Sequence, residues 1–228
     1  NANLEHHKKL IQLATDNKSE LIVFPELSLT GYEPTLAQDL ATDIDDPRLD
    51  ELQKISDRYN IAIAVGMPLK NKEGISIGMI IFKPESQRQT YFKKYLHPDE
   101  DAFFIPGENL TTLTIKQTKI SLAICYEISI AEHTKNTCTT GNELYIASVA
   151  KSLKGIDNAL KTLSETASKY SITVMMSNSI GLCDGEECAG KSSVWNSDGT
   201  LINQMDGQHE GIVLLDTATG DTTKHQLS

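Results

Sequence analysis

The chain has 228 residues, 39% of them hydrophobic and 23% charged, with 31 acidic against 21 basic side chains and a formal charge of -10. A chain of that size buries roughly 70–75% of its unfolded surface and needs no disulfide or metal staples, and its composition is that of a soluble globular protein. The acidic balance, with no long Lys/Arg run to overrule it, excludes nucleic acid as a partner, and no apolar stretch reaches the ~20 residues of a membrane span.

The elements follow in chain order. Residues 3–18 read as an amphipathic helix with Leu4, Leu10, Ile11 and Ala14 toward one side, and His6 and His7 as surface residues. The strand LIVF at 21–24 is closed by Pro25, and a helix over 47–59 opens on Pro47. IAIAVGMPL (61–69), ISIGMIIFK (75–83) and TYFKKYL (90–96) read as consecutive strands, the first apolar enough to be buried on both faces. Strands at 110–116 and 119–127 flank a turn at Gln117-Thr118. A weak helix at 129–139, a strand at 143–150, a helix at 156–170 and a strand at 172–180 come next. VWNSDGTLINQM forms a hairpin around Asp198-Gly199, and GIVLLDT (211–217) is the last strand. With no repeat and no linker, residues 1–228 are expected to form a single α/β domain with a mixed sheet.

Three residues carry chemical interest. Cys125 ends an apolar strand, where most cysteines are core residues. A nucleophile there needs a base and donors for the oxyanion it creates. Glu26 lies just past a strand end, where a loop can turn a carboxylate into a pocket or leave it in solvent. In TYFKKYL, alternation sends Lys93 to one face and Lys94 to the other, so one lysine points toward whatever covers the sheet. A buried lysine wants an acidic partner or a task; an edge lysine discourages aggregation.

Together FPELSLTGY (24–32), YFKKYL (91–96) and ICYE (124–127) resemble the three signatures of the nitrilase superfamily of carbon–nitrogen hydrolases. The resemblance implies a four-layer α-β-β-α sandwich, a catalytic glutamate at Glu26, a lysine at Lys93 rather than Lys94, and a nucleophile at Cys125. DEDAFFIPGE (99–108) resembles the loop with a second active-site glutamate, placed by the resemblance at Glu100 between Asp99 and Asp101. Glu132, the strand reaching Ser148, SNSIG (177–181) and GKSSVWNSDGTLI (190–202) match later landmarks. Family members begin with a strand ahead of the first helix; here the helix starts almost at once, so the resemblance leads one to expect that strand in the protein ahead of Asn1. The resemblance also implies a homodimer.

The implied chemistry is cleavage of a small linear amide or N-carbamoyl compound. Glu26 takes the thiol proton, Lys93 and the backbone N–H of Tyr126 hold the oxyanion with Ser148 nearby, and a thioester forms on Cys125. Glu100 orients Lys93. No cofactor or metal is called for, and the sparse cysteines suggest a reducing, cytoplasmic setting. Cys183 and Cys188 lack the second ligand pair of a zinc site. His97 could line the pocket, whereas Lys151 and Lys154 read as surface residues. The alternatives are acyl transfer from the same thioester and a scaffold without activity, although a scaffold is expected to lose one of Glu26, Lys93 or Cys125.

Overall fold

The computed structural model describes residues 2–107 and 112–227. The chain divides into two compact units, 1–110 and 111–228.

In the first unit, α1 (Ala2–Asp16) leads into β1 (Leu21–Val23). Next come α2 (Ala37–Leu40), α3 (Asp50–Tyr59), β2 (Ala62–Lys70), β3 (Ile75–Phe82) and β4 (Gln89–Phe92). The sheet order is β1-β2-β3-β4, with β1 parallel to β2 and the other pairs antiparallel. β2 buries every residue but Lys70, and Ile63, Val65, Ile77, Ile80, Ile81 and Phe82 are fully buried. At ~1.5–3 kcal/mol for each large apolar side chain, this strand pair dominates the stability of the unit.

Two expectations change here. The helix read over 47–59 splits into a 3-10 turn, Pro47–Leu49, capped by the Asp46 side chain, and α3 behind it. His7 is not on the surface: it shares a buried stripe with Ile11 and Ala14, one turn and two turns further along α1, while His6 is exposed.

The second unit contains β5 (Leu113–Ile115), β6 (Thr118–Ile124), α4 (Ala131–Cys138), β7 (Leu144–Val149) and α5 (Ile156–Tyr170). It continues with β8 (Thr173–Asn178), β9 (Ile180–Cys183), β10 (Glu186–Ala189), β11 (Ser193–Trp195), β12 (Leu201–Gln204), β13 (Gly211–Leu215) and β14 (Thr222–Gln226). A six-stranded sheet runs β12-β11-β8-β7-β6-β5. Its centre, β6, β7 and β8, is parallel and joined by α4 and α5, and its outer pairs are antiparallel. α5 matches the span read from its periodicity and buries Ile156, Ala159, Leu163 and Ala167.

The expected mixed α/β class is what the structure has. The strand expected at 110–116 is present from Leu113, and its residues 110 and 111 lie outside the described residues. Cys183 and Cys188 stand in the hairpin strands β9 and β10, paired with Glu186 and Gly181 respectively, around a two-residue turn at Asp184-Gly185. A further strand, β14, pairs with β13 beyond the last one expected.

Candidate active site

Glu26 sits in the turn that follows β1, and that turn is laid directly on β2. Phe24 N–H donates to the Ala64 carbonyl at 2.9 Å and Leu29 N–H to the Gly66 carbonyl at 3.0 Å. Leu27 takes a left-handed φ of 51°. A Cβ at Gly66 would fall 2.4 Å from Leu27 N and 2.8 Å from Pro25 O, so only glycine lets the turn lie this close.

Lys93 follows β4 directly. Its N–H still donates to Ile77 O at 2.9 Å, and its carbonyl accepts from Gly107 N–H at 3.0 Å. Strand alternation carries on past the formal end of β4, so Lys93 is fully buried and Lys94 exposed. The Lys93 ammonium donates at 2.7 Å to Glu26 Oε1 and at 2.7 Å to Glu100 Oε1. Glu100 is the buried residue of the 3-10 turn Pro98–Glu100, and Asp99 and Asp101 on either side are exposed. Its Oε1 also accepts from the Tyr32 hydroxyl at 2.8 Å, and its Oε2 from His97 N–H at 2.8 Å. His97 itself caps the turn with a half-buried ring.

Each ion removed from water costs several kcal/mol, and apolar residues of the same volume would hold the fold as well or better. Two carboxylates gathered on one buried ammonium are therefore better explained by chemistry than by stability.

In the second unit the apolar run of β6 ends at Ile124, and Cys125 turns the chain with a φ of 43°. A side chain other than glycine held there costs of order 1–3 kcal/mol, a strain that concentrates at functional corners. The 3-10 turn Cys125–Ser129 follows. Glu127, fully buried in that turn, accepts Ile124 N–H at 2.8 Å, and His133 Nε2 of α4 lies 3.7 Å from its Oε2. Ile124 pairs with Ser148 of β7, and Ser148 with Ser177 of β8. Cys125 and buried Ser148 thus share the carboxyl edge of the parallel strands, the edge at which open α/β sheets place their sites. Tyr126 is half-buried beside Cys125.

The structure accordingly brings Glu26, Lys93 and Glu100 together in the first unit, and places Cys125, Tyr126 and Ser148 at one sheet edge in the second. Lys154 is largely exposed and pairs with Glu186, as a surface lysine does. Among the described residues no three His, Cys, Asp or Glu side chains are grouped as a metal site needs, and no helix is long and apolar enough to cross a membrane. Tyr32, Gly66, Glu127 and His133 were missed by sequence reasoning. Tyr32 and Glu127 stand inside the recognised segments, whereas Gly66 and His133 are tied to theirs only by the fold.

A family model described as carbon-nitrogen hydrolase matches residues 1–224. The chain belongs to that family. Its place in the nitrilase superfamily is also reflected in its relatives. This carbon–nitrogen hydrolase is 28% identical over 130 residues to an (R)-stereoselective amidase of Pseudomonas sp., an alignment taking in 56% of the chain and 47% of the amidase. It is 26% identical over 226 residues to a glutamine-dependent NAD(+) synthetase of Thermotoga maritima, covering 94% of the chain and 39% of the synthetase. The chain thus spans less than half the length of either relative. Its fold matches a solved variant of the amidase from Nesterenkonia sp. AN1, which carries acrylamide added to its active-site cysteine. That match has a TM-score of 0.81 at 22% identity and covers 90% of the chain and 83% of the amidase.

Proposed function

We propose that the protein hydrolyses the C–N bond of a small linear amide or N-carbamoyl compound through a thioester on Cys125. The observation that carries this reading is the buried Glu26–Lys93–Glu100 cluster, a base and a fixed cation held dry by a second carboxylate.

At a free pKa of about 8.5 a cysteine is only a few per cent thiolate near pH 7, so it needs a base. Glu26 takes the Cys125 proton as Sγ attacks the amide carbon. The oxygen of the tetrahedral adduct, now negative, is held by the Lys93 ammonium and Tyr126 N–H, with Ser148 at the same edge as the nucleophile. One such donor contributes about 2.7–4 kcal/mol in other hydrolases. The adduct collapses with cleavage of C–N, and the proton on Glu26 passes to the leaving nitrogen, releasing ammonia or an amine. Water then gives its proton to Glu26 and attacks the thioester, and departure of the Cys125 sulfur, which recovers the proton, frees the carboxylic acid. Glu100 keeps Lys93 aimed and its charge compensated throughout.

A second reading draws on the alignment with the glutamine-dependent synthetase, which takes in almost the whole chain. In it the amide is glutamine and the ammonia feeds a synthetase.

The test is ammonia release from acetamide, butyramide, acrylamide, glutamine and N-carbamoyl amino acids, comparing the parent with Cys125→Ala. Activity lost in the variant supports the thioester route, and glutamine as the preferred substrate favours the second reading. Equal activity in both proteins rules out Cys125 as the nucleophile.

A further inference from the structure

We propose that His7 is a positioning residue that holds the general base Glu26 in place from α1, an inference that rests on the reading of Glu26 as the base for Cys125.

His7 reaches the Glu26 turn on both sides of the glutamate. Its ring stacks on Phe24, with centroids 4.1 Å apart and planes inclined by 27°. Its Nε2 lies 3.0 Å from Ser28 Oγ, and its Nδ1 lies 2.6 Å from the Asn3 carbonyl oxygen. A carbonyl oxygen has no proton to give, so Nδ1 carries a hydrogen and donates it to Asn3, while Nε2 and the Ser28 hydroxyl share the second hydrogen bond of the ring. Ser28 Oγ in turn accepts from Gly66 N–H at 3.2 Å. The bonds therefore form one continuous chain, linking Gly66 N–H, Ser28, His7 and the helix backbone. Asn3 adds a second strut, its Nδ2 donating to Leu29 O at 3.2 Å.

A polar ring on the buried stripe of an amphipathic helix is costly where an aliphatic residue would pack. Here the ring stacks on Phe24 and one ring nitrogen meets Ser28, both in one turn, and that turn carries the glutamate bonded to Lys93. Leu27, next to Glu26, is held at a positive φ, so the turn needs external bracing to keep its shape. Loss of the brace lets Glu26 drift. A displacement of about 1 Å in a catalytic group can cost a hundredfold in rate.

The experiment follows alkylation of Cys125 by iodoacetamide with peptide mass mapping, a probe that needs no knowledge of the natural substrate. The sulfur bonds to the methylene carbon, the C–I bond breaks with iodide leaving, and the thiol proton passes to Glu26. Glu26→Gln, His7→Phe and Ser28→Ala are each expected to slow alkylation roughly tenfold, and the His7→Phe/Ser28→Ala pair to be no slower than His7→Phe alone. Ser28→Thr, which keeps the hydroxyl, is expected to recover the rate lost in Ser28→Ala. Folded His7→Phe and Ser28→Ala proteins reacting at the parent rate, with Glu26→Gln slow, would overturn the role of His7 and leave Glu26 as the base. A parent rate in Glu26→Gln would overturn the base assignment and the inference together. Should His7→Phe fail to fold, Ser28→Ala against Ser28→Thr decides alone.

Discussion

Lys93 and Glu100 are joined at 2.7 Å with both side chains shut off from solvent, and Glu26 meets the same ammonium at the same distance. Removing the ammonium alone leaves two buried carboxylates facing each other, and an uncompensated buried charge costs about 3–5 kcal/mol. Lys93→Met is therefore expected to lower stability by that order, measured by urea denaturation, and, on the proposed mechanism, to reduce turnover by about 10²–10³, as loss of one oxyanion donor does in other hydrolases. The triple variant Glu26→Gln/Lys93→Met/Glu100→Gln, with no charge left to bury, is expected to recover most of the stability and none of the activity.

Gly66 supplies a purely steric test of how Glu26 is placed. Gly66→Ala puts a methyl 2.4 Å from Leu27 N, a backbone atom that can move only if the Glu26 turn lifts off β2. Overpacking of this kind costs about 1–3 kcal/mol. The expected outcome is a folded, moderately destabilised protein whose kcat falls far more than its KM changes, checked by steady-state kinetics on the best amide of the panel.

Much of this was legible in the residues, and what was not had physical reasons. An apolar run broken by Pro25-Glu26, and another broken after Cys125, mark strand ends whatever the fold. Alternation showed that Lys93 and Lys94 must part, and burial has settled which goes inside. No such rule separates Glu100 from Asp99 and Asp101, because a single 3-10 turn has no repeating period; the Lys93 and Tyr32 bonds make the choice. The stripe through Ile11 and Ala14 was visible, but His7 was read as exposed because its partners, Phe24 and Ser28, are remote in sequence. β10 and β14 escaped because EECA and TTKHQ carry little apolar alternation, leaving the Asp184-Gly185 turn as the one local sign of the first hairpin.

The cysteines differ in a way that chemical labelling can read. Burial pushes the Cys138 thiol up to about 11, opposed weakly by a hydrogen bond with Thr137. It therefore stays protonated at pH 8 and is expected to remain unmodified by iodoacetamide in the folded protein, while Cys125 is alkylated with loss of activity. The same shift sets the sign of an alkaline effect. The native thiol keeps its proton through a range where the unfolded one, near 8.5, has lost it, so stability falls as pH rises from about 8.5 toward 11. Cys138→Ala is expected to flatten that part of the profile, measured as urea midpoints between pH 8 and 11.

Asp46 gives the opposite dependence at the acid end. Its carboxylate accepts Arg48 N–H at 2.8 Å as the cap of the turn before α3, and it also bonds the Arg48 guanidinium and the Thr42 hydroxyl. The Arg48 and Thr42 hydrogen bonds hold its pKa well below the usual carboxylate range. A depressed carboxylate contributes stability that is complete above its unfolded pKa of about 3.9 and lost as pH falls toward the folded value. Asp46→Ala is expected to cost about 1 kcal/mol at pH 7, as loss of a helix cap does. The gap between parent and variant then narrows steadily below pH 4. Urea denaturation of both proteins from pH 7 to pH 2 checks this, and a gap that stayed constant across the series would mean that packing of the turn, not the charge on Asp46, is what the substitution removes.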